Sequence, residues 1–536
     1  MNSAEILKTR INIQSKEFIQ NYTTNLALTH ELKELITSTT SGKENASTIK
    51  HKAKGKLGVY ERIGLLIDEN TPFLELSQLA AYGQYNNEFP SGGIITGIGL
   101  VQGIETIIIA NDPTVKGGTY VKETIKKHLR AQEIALINHL PCIYIVESGG
   151  IFLQEQANVY PDKENFGRIF YNQAKLSAES IPQIAIVMGS CTAGGAYIPA
   201  MSDESIIVKD RGTIFLAGPP LVKAATGEIV TAEELGGADV HTKISGVADY
   251  LATDEKNAID ICRNIFSTIS RSQIQKLDKS KIEDPIYPAD ELYGIVQADA
   301  RRKTDAYEII MRIVDGSKFQ EFKANYGQTL ITGYARIMGY SVGILANNGI
   351  LFSESALKGT HFIELCKHRK IPLVFLQNIS GFMVGKDAEH RGIAKDGAKM
   401  VHAVATANVP KFTIITGGSH GAGNYAMAGR AFSPNLLFVW PNSKISVMGG
   451  EQASEVLTSI RNTNLKDSDQ SKTLNEEIRN TLLEKYKTES SPYYSTSRLW
   501  DDGIIDPVET RTVLGIGISL SLNRPFPEPN SGIYRM

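Results

Sequence analysis

Short apolar runs alternate with longer amphipathic segments along most of this chain, and the alternation occurs twice. Ile104 to Ala110 predicts a strand. Lys122 to Asn138 predicts a helix with Leu129, Ile134 and Ile137 among its apolar positions, Cys142 to Val146 a strand, Phe170 to Ser180 a helix, and Ile184 to Met188 a strand. The second pass has a strand at Val342 to Ala346, a helix at Ala356 to His368, a strand at Leu373 to Gln377, a helix at Gly397 to Thr406 and a strand at Phe412 to Thr416. Strands alternating with helices predict an α/β fold.

Local words repeat in the same order in both passes. Leu140-Pro141 matches Ile371-Pro372 and Ala174-Lys175 matches Ala398-Lys399. Ile181-Pro182 matches Val409-Pro410, and Gly149-Gly150 matches Ser380-Gly381-Phe382. Four matches in one order argue for internal duplication. The boundary falls in a charged stretch near 272–300 that holds Lys276, Lys279, Lys281, Pro285 and Pro288, which divides the chain into 1–271, a linker region 272–300, and 301–536. The first fifty residues are polar, with spaced apolar positions (Ile6, Ile11, Phe18, Leu26, Leu32, Leu35), and predict helices at the surface or against a partner. Thr37 to Thr48 reads as a Ser/Thr-rich loop. A basic cluster follows (Lys50, His51, Lys52, Lys54, Lys56), either a solvated face or a phosphate contact.

Composition narrows the class. The 536 residues are 42% hydrophobic and 21% charged, so large packed cores are feasible and disorder is not expected. The net charge of −2 argues against nucleic-acid binding. The four cysteines, Cys142, Cys191, Cys262 and Cys366, form no C-x-x-C pair, which argues against a zinc ribbon or a disulfide framework and for a reducing compartment. No signal peptide and no membrane-length apolar run is present, and the N-terminus lacks transit-peptide character. The expectation is a cytoplasmic protein in a bacterium, or a mitochondrial-matrix protein in a eukaryote, with no membrane contact.

Each predicted strand Ile184–Met188 and Phe412–Thr416 runs into a glycine-rich turn, and the two turns lie about 230 residues apart. The first is Gly189-Ser190-Cys191-Thr192-Ala193-Gly194-Gly195-Ala196-Tyr197. The second is Gly417-Gly418-Ser419-His420-Gly421-Ala422-Gly423-Asn424-Tyr425. Strand–turn–helix units of this kind aim backbone N–H groups and a helix N-terminus at one point, where developing negative charge is stabilised. Taken singly, each turn fits a packing loop equally well; the duplicated context favours two oxyanion sites and enolate chemistry at a carbonyl or thioester. Neither turn is a Walker loop or a Rossmann fingerprint. No triad emerges. His420, Glu147-Ser148 and Asp203-Glu204 read as structural or solvated groups, and Cys191 as a small buried residue, so the proton acceptor is expected to arrive with a cofactor.

Longer words carry a family resemblance. They are Ala81-Tyr82-Gly83-Gln84-Tyr85, Phe89-Pro90-Ser91-Gly92-Gly93, Gly117-Gly118-Thr119-Tyr120, and Lys126-Lys127-His128-Leu129-Arg130-Ala131-Gln132-Glu133. To these are added the first turn and Phe215 through Glu228 (FLAGPPLVKAATGE). The second half adds Gly392 through Met400, the second turn, Ser446 through Ala453 (SVMGGEQA), Trp500 through Pro507, and Tyr534-Arg535-Met536. Over nearly its whole length the chain resembles the carboxyltransferase (beta) subunits of biotin-dependent acyl-CoA carboxylases, most closely the methylcrotonyl-CoA branch.

The resemblance implies an α/β fold of two tandem crotonase-like (ClpP/crotonase superfamily) ββα-superhelix domains, the first on the acyl-CoA side and the second on the carboxybiotin side. It implies that Gly194 and Gly195, beside Ala193, hold a thioester enolate oxygen. Ala422 and Gly423, with Gly421 shaping the loop and Phe382 at the cofactor, hold the ureido oxygen of biotin. The carboxyl group would pass to an acyl-CoA, 3-methylcrotonyl-CoA giving 3-methylglutaconyl-CoA in leucine degradation, and no metal is implied on this chain. No Met-Lys-Met attachment word is present (Ala398-Lys399-Met400 lacks the first Met), and no ATP-binding glycine loop. Biotin is therefore expected on a separate biotin carboxylase/biotin carrier alpha subunit, with this chain forming a beta hexamer inside an alpha6beta6 complex. The four-cysteine zinc module of some acetyl-CoA relatives is also absent. Rival readings are a geranyl-CoA or propionyl-CoA carboxylase subunit, a biotin-dependent decarboxylase subunit, and an idle scaffold.

Overall fold

The computed structural model describes residues 5–40, 46–270, 274–298, 303–449 and 469–536. The chain folds into two compact units: Glu34–Ile274 with Ser497–Leu499, and Met1–Lys33 with Gln275–Thr496 and Trp500–Met536. They are called here the first and second unit.

The strands are β1 (Glu5–Ile6), β2 (Leu74–Leu76), β3 (Ile94–Val101), β4 (Ile104–Asn111), β5 (Cys142–Ser148), β6 (Gln183–Thr192), β7 (Glu204–Val208), β8 (Thr213–Phe215) and β9 (Tyr250–Ala252). They continue with β10 (Lys318–Glu321), β11 (Leu330–Ile337), β12 (Tyr340–Asn347), β13 (Leu373–Ile379), β14 (Lys411–His420), β15 (Leu436–Val439) and β16 (Lys444–Ser446). The first unit's sheet runs β2-β3-β4-β5-β6-β7-β9, with β8 on the far end of β6. The second unit's sheet runs β1-β10-β11-β12-β13-β14-β15, with β16 on the far end of β14. In both, an antiparallel hairpin leads into parallel strands.

The duplication extends to single atoms. The β3–β4 hairpin turns on Gln102-Gly103 and the β11–β12 hairpin on Met338-Gly339, both residues of each pair having positive φ as a two-residue type I′ turn requires. Asp68 accepts both turn N–H groups of the first hairpin (3.0 and 2.6 Å), and Asp315 those of the second (2.9 and 2.7 Å). Each aspartate is clamped by an arginine, Arg263 at 2.9 Å and Arg511 at 2.8 Å. The repeated prolines start parallel strands: the Pro141 and Pro372 carbonyls each accept at 2.9 Å, those of Pro182 and Pro410 at 2.8 Å.

Helices follow the apolar periodicity. These are α1 (Lys16–Thr40), α2 (Ala46–Ala53), α3 (Val59–Leu66), α4 (Lys122–Asn138), and helices Phe166–Ala178, Ser353–His368 and Ile393–Thr406. Helix α4 has the predicted bounds; the strands entering both turns run about four residues further than apolar character implies, because their last residues, Ser190 to Thr192 and Gly418 to His420, still pair with β8 and β16. Thr37 to Thr48 is not one loop. α1 reaches Thr40 and α2 starts at Ala46, and Ser38 Oγ and Thr39 Oγ1 both bond back to the Leu35 carbonyl at 2.8 Å; residues 41–45 lie outside the described residues. Residues up to Lys33 group with the second unit. Asn25 Nδ2 donates to the Tyr293 and Val296 carbonyls, both at 2.8 Å, and the Phe18 ring fills the space over Gly294. Of the expected linker, 272, 273, 299 and 300 lie outside the described residues, as do Gly450 to Ala453.

The core of the first unit is aliphatic: Ile63, Leu66, Ile108, Ile143, Ile145, Ile186, Ile206 and Phe266 sit between the sheet and its helices. Burial of this kind stabilises by roughly 25 cal/mol per Å² of apolar surface, which is what holds the strand ends still enough to aim the turns.

Candidate active site

In the first unit β6 ends at Thr192 and a 3-10 turn, Ala193–Ala196, leads into the short helix Tyr197–Ala200. The chain reverses at Ala193, whose φ is +54°. The first N–H groups of such a turn have no intrahelical acceptor. Thr192 stands at the N-cap, a position where threonine usually accepts one of them. Its side chain does not cap; Ser190 Oγ and Thr192 Oγ1 bond each other at 3.1 Å. No side chain therefore caps the Gly194 and Gly195 N–H groups.

Close packing explains the glycines. A Cβ on Gly195 would lie 3.0 Å from the Ser148 carbonyl oxygen, and one on Gly194 would enter the Phe166 ring. Ser148 is itself tied down: its Oγ donates to the Gly118 carbonyl at 2.8 Å and accepts from Gly150 N–H at 3.1 Å. Beyond it, Ile151 bridges Tyr120 in parallel fashion, with Tyr120 N–H on the Gly150 carbonyl (2.9 Å) and Phe152 N–H on the Tyr120 carbonyl (3.0 Å). In a parallel bridge of this polarity the Ile151 N–H points to the opposite side from Tyr120. That donor was missed in the sequence; only the match of Gly149-Gly150 with Ser380-Gly381-Phe382 hinted at it.

The second unit repeats the device. β14 ends at His420 and the helix Gly421–Ala426 begins at once. Gly421 has φ +54°, the value Ala193 has in the first turn. His420 is at the N-cap and again does not cap; its Nδ1 donates to Ser446 Oγ at 2.9 Å, which in turn donates to the Met448 carbonyl at 2.7 Å. The N–H groups of Ala422 and Gly423 are left open. A Cβ on Gly423 would lie 2.6 Å from Ile379, the counterpart of Ser148. Phe382 bridges Leu351 as Ile151 bridges Tyr120, and its ring lies against Gly397. Ala193, Gly194 and Gly195 thus come together in one unit, and Gly421, Ala422, Gly423 and Phe382 in the other.

Beneath the turns lie polar floors. Gly189 sits against the Glu147 carboxylate, which is paired to Lys56 Nζ and, at 3.1 Å, to Arg62. Arg62 is fully buried and also holds Glu255 at 2.8 and 3.0 Å. Gly417 sits in the same way against the Asn378 amide, whose Oδ1 accepts from Gly418 N–H at 3.0 Å.

The other sequence candidates are structural. Asp203 accepts from Ser177 Oγ and Gln183 N–H, both at 2.8 Å, and Glu204 from Tyr250 OH at 2.7 Å. Cys191 is fully buried; burial first, and Glu147 second, push its thiol well up, so it is no nucleophile. Burial holds the His420 imidazole down and neutral. Lys399 lies inside the helix Ile393–Thr406, paired to Asp396 at 3.1 Å. The basic cluster is partly internal, since His51 Nε2 bonds the Leu57 carbonyl at 3.0 Å. No group of metal-ligating side chains occurs among the described residues, and none of the described helices is long and apolar enough to cross a membrane.

The two units thus end equivalent buried parallel strands in equivalent turns that no side chain caps. Residues 50–532 match the carboxyl transferase domain, and the chain belongs to that family. It is 57% identical over 511 residues to a biotin-dependent 3-methylcrotonyl-coenzyme A carboxylase beta1 subunit of Mycobacterium tuberculosis, covering 95% of this chain and 97% of that one. It is 54% identical to a probable mitochondrial methylcrotonoyl-CoA carboxylase beta chain of Drosophila melanogaster, covering 100% and 96%. Among solved structures, the beta subunit of Pseudomonas aeruginosa geranyl-CoA carboxylase superposes with a TM-score of 0.90 at 38% identity, covering 99% of both chains. The fold is that of carboxyltransferase beta subunits, the crotonase-like α/β architecture expected from the sequence.

Proposed function

We propose that this chain is the carboxyltransferase subunit of a methylcrotonyl-CoA carboxylase, transferring a carboxyl group from carboxybiotin to 3-methylcrotonyl-CoA. The single observation that carries the chemistry is the pair of uncapped cradles, whose N-cap side chains are both drawn elsewhere by hydrogen bonds. The choice of acyl group rests on relatives at 54–57% identity that bear the methylcrotonyl name. The geranyl-CoA relative is less similar, at 38%.

In this reading Gly194 and Gly195 N–H, with Ile151 N–H beside them, hold the thioester oxygen as the substrate loses its proton. Ala422 and Gly423 N–H hold the ureido oxygen of biotin, with Gly421 setting the turn and Phe382 beside it. The uncapped N–H groups of Ala422 and Gly423 fit a neutral, polarisable carbonyl. Bound carboxybiotin supplies both the CO2 and the proton acceptor, which accords with the structural roles of Glu147, Asp203 and His420. A single oxyanion donor contributes on the order of 3 kcal/mol to transition-state stabilisation.

A cavity of about 870 Å³ in the first unit, lined by Lys52, Tyr60, Phe89, Ser91 and Val115, offers room for part of the coenzyme. Its wall reaches the segment that follows Ile151, because Phe89 meets Phe152 edge-on at 5.2 Å. Large apolar side chains stand exposed beside both turns. Leu153 (78%) follows Ile151 by two residues, and Val384 (75%) follows Phe382 by two. Such surface supports self-association of this subunit, and the hexamer within an alpha6beta6 complex is proposed on that basis. The alpha subunit would carry biotin and the ATP-dependent step. The domain roles, 1–271 for acyl-CoA and 301–536 for carboxybiotin, and a cytoplasmic or mitochondrial-matrix location belong to the same proposal.

The test is an acyl-CoA panel with the reconstituted alpha–beta pair and labelled bicarbonate. Methylcrotonyl-CoA should give the highest kcat/KM among methylcrotonyl, geranyl, propionyl and acetyl thioesters; a higher value for any other thioester would reassign the substrate.

A further inference from the structure

The floors beneath the two turns differ at one place where the duplication otherwise holds. Gly417 rests on a neutral amide, Asn378, satisfied locally by Gly418 N–H. Gly189 rests on a carboxylate, Glu147. Glu147 is well placed to fix the first turn. Its carboxylate fills the space a Cβ on Gly189 would take, and its own carbonyl does the same at Gly118. Its neighbour Ser148 holds Gly195 and Gly150. A carboxylate there also carries a cost, since its charge reaches Cys191, three residues before Gly194, and so opposes negative charge developing at this turn.

The structure answers that charge with a built network. Lys56 and Arg62 both pair with Glu147, Arg62 also pairs with Glu255, and Arg211 stands 3.6 Å from Glu255. Three cations therefore face two carboxylates. The surplus is positive, and Arg62 Nη1 has no acceptor. Arg62 gives Nε and Nη2 to Glu255 and shares Nη2 with Glu147, so it cannot neutralise both alone. Lys56 is held from both sides: Leu57 N–H donates to Glu255 at 3.1 Å, and the Gly55 carbonyl accepts from Arg211 at 2.9 Å. Of the lysines in the basic cluster read from the sequence, this is the member the fold turns inward, with a side chain only 12% exposed.

We infer that Lys56 is a positioning residue for the first oxyanion site: it cancels the Glu147 charge so that this carboxylate can clamp Gly189 without repelling the enolate oxygen held by Gly194 and Gly195. The inference rests on the carboxyltransferase reading above. A merely structural Lys56 would show its loss in stability and subunit assembly, whereas a charge-balancing one shows it in kcat with assembly and KM kept.

The experiment measures kcat and KM for methylcrotonyl-CoA with the reconstituted holoenzyme, for wild type, Lys56→Gln, Lys56→Arg and Lys56→Gln/Glu147→Gln. Lys56→Gln should lower kcat on the order of tenfold, about 1.4 kcal/mol, with KM within about twofold. Lys56→Arg should stay near wild type. The double variant, which restores the positive surplus, should recover most of the lost kcat. Wild-type kcat in Lys56→Gln, a change in KM alone, or a double variant no faster than the single one each overturns the inference. If Lys56→Gln does not fold, as read by circular dichroism and subunit assembly, the double variant compared with Lys56→Arg decides in the same way. A wild-type holoenzyme that carboxylates no acyl-CoA overturns instead the functional reading on which the inference stands.

Discussion

Replacing Gly195 by valine probes the first cradle directly. The backbone at Gly195 is not in the left-handed region, so a side chain brings no torsional strain there. The difficulty is space. A Cβ would stand 3.0 Å from the Ser148 carbonyl oxygen, 3.3 Å from its Cβ and 3.4 Å from its Oγ. Ser148 cannot retreat, since it is fully buried and bonded to Gly118 and Gly150. Two further methyls on the valine leave only one outcome: the turn carrying the Gly194 and Gly195 N–H groups moves outward. Hydrogen bonds to a fixed oxyanion weaken steeply with such displacement, and losing one donor costs about 3 to 4 kcal/mol, or 10²–10³ in kcat. Overpacking should cost about 1–3 kcal/mol of stability, which a buried core of this size tolerates. The assay is labelled-bicarbonate fixation into methylcrotonyl-CoA by the holoenzyme, run beside the substrate-free breakdown of carboxybiotin as an uncoupled reaction. Carboxylation should fall at least a hundredfold while the uncoupled reaction persists, because the second cradle is untouched. Wild-type carboxylation by Gly195→Val would remove the first oxyanion site from the mechanism.

The converse change, Gly423→Val, crowds Ile379 at 2.6 Å, and should depress the uncoupled reaction and carboxylation together by about a hundredfold; a loss confined to carboxylation would refute the assignment of the second cradle. Phe166 covers Gly194 and meets Tyr120 edge-on at 5.0 Å. Phe166→Ala should shift the geranyl-to-methylcrotonyl ratio of kcat/KM toward geranyl by on the order of tenfold, the scale of pocket methylene discrimination, and an unchanged ratio would place the acyl group elsewhere. The Asp501 carboxyl, fully buried, is pushed up to about 6 by burial. The unfolded chain then releases this proton at lower pH than the folded one, so the group contributes stability at low pH that is lost as pH rises from about 4 to 6. Asp501→Asn should remove that loss, raising the melting temperature more at pH 8 than at pH 5; equal shifts at both pH values would show that folding does not raise the Asp501 carboxyl.

How much of this was legible without coordinates can be seen at particular residues. The two passes of strand and helix, the Pro141/Pro372 and Pro182/Pro410 strand starts, α4, and the two glycine turns were all readable. Period-2 and period-3.6 burial and the restricted geometry of proline and glycine act over a few neighbouring residues and leave their mark locally. Family membership was also readable, because long words survive in both halves.

What required tertiary structure concerns residues far apart in the chain. Thr192 and His420 look like ordinary caps, and only Ser190 and Ser446 reveal that both have turned away. The outward direction of the Ile151 N–H is set by its bridge to Tyr120, which no side-chain identity encodes. Lys56 looked like one of several surface lysines until Glu147, 91 residues later, was found against it. The grouping of residues up to Lys33 with the second unit is likewise set by Asn25 meeting Tyr293 and Val296, more than 260 residues away. The sequence alone determined which backbone shapes were available at each point; the three-dimensional packing decided which open N–H groups and which charges face one another, because those energies depend on distance through space and burial rather than on order along the chain.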